Sequence, residues 1–161
     1  MDAIYIGSDH RGFELKRSLS SFLKGLGYNV VDEGPSSYDP DDDYPDYAEK
    51  VCKKVLSSKT NAKGILICGG GNGMARAANK IHGIYAALCS SEESAKYAMM
   101  DGDTNVLCLS AMLTTPDDAN KIAKAWLTTP FSGHERHVRR IKKVKDIEHR
   151  HMKPVFHKPE A

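Results

Sequence analysis

The sequence predicts an α/β protein: a doubly wound sheet of five parallel strands with an extra helix at the C-terminus. Three observations lead there. Strand-like and helix-like segments alternate along the 161 residues, which is the pattern of repeated βαβ units. The apolar run Ile65-Leu66-Ile67-Cys68 opens into Gly69-Gly70-Gly71-Asn72-Gly73 and then a helix-like MARAANK, a strand–turn–helix signature. Composition is that of an ordinary globular domain, 40% hydrophobic and 27% charged.

Taken in order, Ala3 to Gly7 reads as a short buried strand. Residues Gly12 to Leu26 carry apolar side chains at helical spacing (Phe13, Leu15, Leu19, Phe22, Leu23), and Gly27 supplies the stop. A second strand covers Tyr28 to Val31, and a Pro-, Ser- and Asp-rich loop runs from Asp32 to Asp43. Tyr44 to Leu56 is a helix with Pro45 in its first turn. Strand three is Gly64 to Cys68, followed by a helix from Gly73 to Ile81. Strand four is Ile84 to Cys89, and Ser90 or Ser91 caps a helix over Glu92 to Met100. Asn105 to Leu109 is strand five and Pro116 to Leu127 the next helix; a long basic helix then spans Gly133 to Arg150. No repeat or linker divides the chain, so residues 1–152 are expected to form one domain and 153–161 a flexible tail.

The net charge of +2 points to neither nucleic acid nor an acidic membrane. The N-terminus has no basic leader and no long apolar run, so neither a secretory signal nor a membrane span is expected. Cys52, Cys68, Cys89 and Cys108 show no CxxC pair or metal-ligand spacing, which suggests free thiols in a reducing cytoplasm and no bound metal. The acidic run Asp39, Asp41, Asp42, Asp43 has no spaced His or Glu beside it and reads as a solvated loop.

Ligands of parallel sheets bind at the carboxyl ends of strands. Cys68 stands at such an end, directly before a glycine turn whose N–H groups suit an anion, and a thiol beside a positive helix end is acidified. The alternative is that Cys68 merely fills the core. The glycine run lacks the third glycine of a dinucleotide fingerprint and the Gly-Lys-Ser/Thr of a P-loop, so it suits a small oxyanion better than a nucleotide. Asp9 and His10 end the first strand, either as a turn and helix cap or as part of the same site. In the last helix Arg136 and Arg140 share one face, beside an apolar stripe of Val138, Ile141, Val144 and Ile147. That helix reads as a solvated basic surface, a nucleic-acid contact, a phosphate clamp or an element for docking a second subunit.

Together these segments resemble the ribose-5-phosphate isomerase B family, which also includes galactose-6-phosphate isomerases. The resemblance rests on Gly-Ser-Asp9-His10, Asp43-Tyr44-Pro45-Asp46-Tyr47-Ala48, ILICGGGNGM with Ala77-Ala78-Asn79-Lys80, Asp103-Thr104-Asn105-Val106-Leu107, and Arg136-His137 with Arg140. It implies a three-layer, Rossmann-like, cofactor-free aldose–ketose isomerase. The reaction would interconvert ribose 5-phosphate and ribulose 5-phosphate, in the pentose phosphate pathway, through a cis-enediolate. By the same resemblance Cys68 is the base, and the N–H groups of Gly69, Gly70, Gly71, Asn72 and Gly73 hold the oxyanion. Asp9, His10, Tyr44, Gly102, Arg136 and Arg140 bind the sugar or its phosphate. The site is shared between the subunits of a homodimer, with a tetramer as the larger alternative.

The chain departs from the family pattern at four places. Asp101-Gly102 replaces a His-Asn pair whose His opens the sugar ring; Asp101 serves in its place if it is buried, a neighbouring His takes over, or the linear sugar is used directly. Met112 stands where the family has Arg after strand five, Tyr85 replaces an Arg in the fourth strand, and Gly70 replaces Thr or Ser. These departures leave open a six-carbon sugar phosphate as substrate, or a catalytically weakened phosphosugar-binding homologue.

Overall fold

The computed structural model describes residues 2–154. The strands are β1 (Ala3–Ser8), β2 (Asn29–Asp32), β3 (Lys63–Cys68), β4 (Ala86–Leu88) and β5 (Val106–Ser110). The helices are α1 (Phe13–Gly25), α2 (Tyr44–Ser57), α3 (Asn72–Ala78), α4 (Glu92–Met100), α5 (Pro116–Thr128) and α6 (Glu135–His151), and a 3-10 turn covers His10–Gly12. The strands pair in parallel in the order β2-β1-β3-β5-β4, so the chain reverses its direction of growth between β1 and β3. That reversal opens the crevice in which doubly wound sheets bind ligands.

Both faces of the sheet are covered, which is why β3 and β5 read as unbroken apolar runs. Ile65, Ile67, Leu107 and Leu109 face α1, α4 and α5, and Trp126 is fully buried among them. The Trp126 indole donates to Thr104 Oγ1 at 2.8 Å. Leu66, Cys68, Val106 and Cys108 face α2 and α3 on the other side. Only α6 lies outside this packing; no other helix or strand makes broad contact with it among the described residues. Met152 caps its end, and residues 155–161 of the expected tail lie outside the described residues.

Several boundaries differ from the sequence reading, and three of the differences are instructive. β4 is shorter than Ile84 to Cys89 because side chains take over its start: Tyr85 N–H donates to Asn105 Oδ1, and Asn79 bonds both the N–H and the carbonyl of Ala86. These contacts close an edge strand against further pairing. The expected helix from Gly12 begins instead as a 3-10 turn, because Asp9 caps it by accepting from Gly12 N–H at 3.0 Å. α3 ends at Ala78, three residues before the expected Ile81, in a series of tight turns. Among the described residues no helix is long and apolar enough to cross a membrane.

Candidate active site

At the carboxyl edge of the sheet, β1 and β3 deliver Asp9, His10 and Cys68 side by side. The ladder between β3 and β5 runs on past the strand ends: Ala111 N–H donates to Cys68 O, Met112 N–H to Gly69 O, and Ser110 Oγ to the same Gly69 oxygen at 2.7 Å. Asp9 N–H donates to Ile67 O at 3.2 Å and ties the 3-10 turn to the end of β3. Cys68 is therefore held by backbone on both sides. It is 5% exposed, whereas Cys52 and Cys108 are fully buried. Burial pushes the Cys52 thiol up to about 12 and raises Cys108 and Cys89 as well, so those three remain protonated packing residues.

The turn after Cys68 is shaped by Gly71, whose φ of 77° lies in the left-handed region. A Cβ there would also sit 2.5 Å from Leu88 Cδ1. The N–H groups of Gly69, Gly70, Gly71, Asn72 and Gly73 donate to no acceptor among the described residues. They form a run of free donors directly after the thiol. The Tyr44 ring lies against Gly73, with its Cζ 2.8 Å from where a Cβ would be.

Asp42 is a residue the sequence reading missed. The acidic run was expected to be solvated, yet the Asp42 side chain is only 6% exposed. Its Oδ1 accepts from His10 N–H at 2.9 Å and pairs with His10 Nδ1 at 2.8 Å, fixing the ring and leaving Nε2 free to face a ligand. Asp42 Oδ2 is buried with no partner among the described residues. The loop that delivers Asp42 is anchored at its start by Lys16, whose buried ammonium donates to both Asp32 oxygens and to Pro35 O. No spacing rule flags Asp42, because its partner lies 32 residues away.

The remaining predicted residues sit at the opposite edge. α4 runs against the strands, so Asp101 and Gly102 lie where β5 begins. The start of α6 joins them through Ser132 N–H, which donates to Met100 O at 3.1 Å. Arg136 and Arg140 are exposed there. A single chain thus brings Asp9, His10, Tyr44, Cys68 and the glycine turn together, and places Asp101, Gly102, Arg136 and Arg140 elsewhere. The burial on which a ring-opening role for Asp101 depends is not found: its side chain is 49% exposed, because it closes the end of α4 at the surface. The buried group beside it is His137, 6% exposed, with Nδ1 at 3.6 Å from Asp101 Oδ1 and 2.7 Å from Ser132 Oγ. Arg136 Nε donates to His137 Nε2, which assigns the ring proton to Nδ1. Further along, Glu148 pins α6 to the body by accepting from Gly83 N–H at 2.7 Å and Tyr85 OH at 2.5 Å. Burial, then Glu148 itself, raises the Tyr85 phenol and keeps it a donor.

The sequence profile of the Ribose/Galactose Isomerase family matches residues 4–144. A probable ribose-5-phosphate isomerase B from Mycoplasma genitalium is 46% identical over 141 residues, covering 88% of this chain and 92% of that protein. The ribose-5-phosphate isomerase B of Mycobacterium leprae is 36% identical over 151 residues, 94% of this chain and 93% of that one. Among solved structures, the M. genitalium ribose-5-phosphate isomerase B with bound ribulose-5-phosphate superposes with a TM-score of 0.87 at 45% identity, covering 91% of this chain and 96% of that one. The Clostridium thermocellum ribose-5-phosphate isomerase B does so with a TM-score of 0.87 at 40% identity, covering 92% and 98%.

Proposed function

The chain belongs to the Ribose/Galactose Isomerase family, and from that premise we propose that it interconverts ribose 5-phosphate and ribulose 5-phosphate as an aldose–ketose isomerase. The observation that carries this reading is Cys68, held by backbone at the carboxyl edge of the sheet and followed at once by unpaired amide donors. A thiolate there takes the proton from C2 of the open-chain aldose and returns it to C1, while the C2 hydroxyl proton passes to O1. The free N–H groups of Gly69 to Gly73 stabilise the enediolate oxygen between those steps, where preorganised donors contribute most. Asp9 and His10 bind sugar or phosphate oxygens, and Tyr44 covers the turn.

The anion-binding and ring-opening groups come from a second copy of the chain. Arg136 and Arg140 bind the phosphate across that interface, and His137, the buried imidazole beside the exposed Asp101, takes the ring-opening role. Two features support this. The residues stand at opposite edges of one chain, and the apolar stripe of α6 is uncovered, with Val138, Val144 and Ile147 each about half exposed. A two-fold dimer that seats α6 on its partner supplies both needs at once. The four free thiols and a phosphorylated metabolite fit a reducing cytoplasm.

A coupled isomerase assay across five- and six-carbon sugar phosphates tests the reading. Turnover of ribose 5-phosphate is expected, with loss of about 10²- to 10⁴-fold in Cys68→Ala. Near wild-type kcat in that variant would remove Cys68 as the base.

A further inference from the structure

Arg11 is a charged group that no part of the mechanism above employs. It sits in the 3-10 turn directly after His10, exposed, with no carboxylate partner among the described residues. Its side chain lies across Gly69, the first residue of the amide turn: Arg11 Cδ is 2.8 Å and Nη1 3.5 Å from where a Gly69 Cβ would be. Nη1 donates to Met112 Sδ at 3.4 Å. A thioether is a weak acceptor, so a guanidinium with five donors is left almost wholly unspent. Position 112 is where the family resemblance leads one to expect an arginine, and Met112 N–H is bonded to the same Gly69. The cation missing from the loop after β5 is thus replaced in space by one from the turn after β1.

We propose that Arg11 binds the substrate's phosphate at the carboxyl edge, taking over the anion-binding place that Met112 vacates. This rests on the isomerase reading. Two features favour a phosphate. The guanidinium is planar and multidentate, and the His10 imidazole held by Asp42 stands next to it in the chain. Gly69 is required by this arrangement, since any side chain there would displace Arg11 from the turn.

The test uses Arg11→Ala and the double variant Arg11→Ala/Met112→Arg. KM for ribose 5-phosphate and the inhibition constant of inorganic phosphate are measured, alongside thermal unfolding. Arg11→Ala is expected to raise both constants by about tenfold or more, to change kcat less than KM, and to leave the unfolding temperature in place. The double variant is expected to recover most of the loss. Unchanged constants in Arg11→Ala overturn the proposal, as does an equal loss of affinity for unphosphorylated ribose. Failure of the double variant to recover affinity also counts against it. Binding of inorganic phosphate, followed by calorimetry, reads Arg11 even if the protein turns over no sugar. A failure of the isomerase reading is therefore distinguishable from a failure of this one.

Discussion

The two edges of the sheet are built differently. At the carboxyl edge, backbone hydrogen bonds from Asp9, Ala111 and Met112 grip the end of β3, and the groups proposed to react sit on regular elements or one residue beyond them. At the amino edge, apart from the Ser132 N–H to Met100 O bond, side chains do the holding: His137 leans on Ser132 and Asp101, and Glu148 tethers α6 through Gly83 and Tyr85. Proton transfer between adjacent carbons tolerates little misplacement, and a rigid strand end supplies that accuracy. Phosphate recognition by long arginines tolerates more. A helix hung from a few side chains suits the proposed dimer, in which it would take its final position against a second copy.

The largest expected effect tests the division directly. Cys68→Ala and Arg136→Ala are each expected to be nearly inactive alone. Mixed in equal amounts and allowed to exchange subunits, they should regain about a quarter of wild-type activity, because half the dimers then carry one intact site. No recovery after exchange would mean that each chain works alone. Arg140→Ala is the next largest: KM rises about 10- to 100-fold with a smaller change in kcat, the cost of a charged hydrogen bond to phosphate.

Selective alkylation sharpens the contrast among the thiols. The thiolate is the reactive form, and burial raises Cys52, Cys89 and Cys108, so iodoacetamide at mildly alkaline pH should label Cys68 first. Ribose 5-phosphate should slow that labelling, as peptide mass spectrometry can show. Equal labelling of Cys52 would contradict the burial argument. Glu148→Ala should leave Gly83 N–H and Tyr85 OH unsatisfied, cost about 1–3 kcal/mol in chemical denaturation, and weaken the dimer in sedimentation. Asp42→Asn is the mildest: the His10 ring loses its charged anchor, and KM should rise a few-fold with little change in unfolding temperature.

The central strands and the reactive turn were legible in the sequence because β3 and β5 are buried on both faces, which writes continuous apolar runs into the chain. The glycine run after Cys68 was legible for a local reason, since a left-handed residue and close ring packing leave their mark within a few positions. What escaped were pairings across long sequence distances. Asp42 looks like one acid among several until the fold lays it on His10. His137 looks like part of a basic helix until Ser132 and Asp101 enclose it. Tyr85 reads only as a departure from a family arginine, although Glu148, 63 residues on, accepts a hydrogen bond from its hydroxyl. The edge strand β4 was overestimated because apolar character does not mark where a ladder stops, and here asparagine side chains stop it.

If the sugar binds over the glycine turn as proposed, the contact between Tyr44 and Gly73 bears on its length. An aromatic ring rests on a bare backbone, with no room between them for even a methyl group. The headroom above the turn is therefore a single shared quantity, divided between two positions. Bulk gained at position 73 must be surrendered at position 44, and a chain that trims the ring raises the ceiling for a longer carbon skeleton without touching the floor.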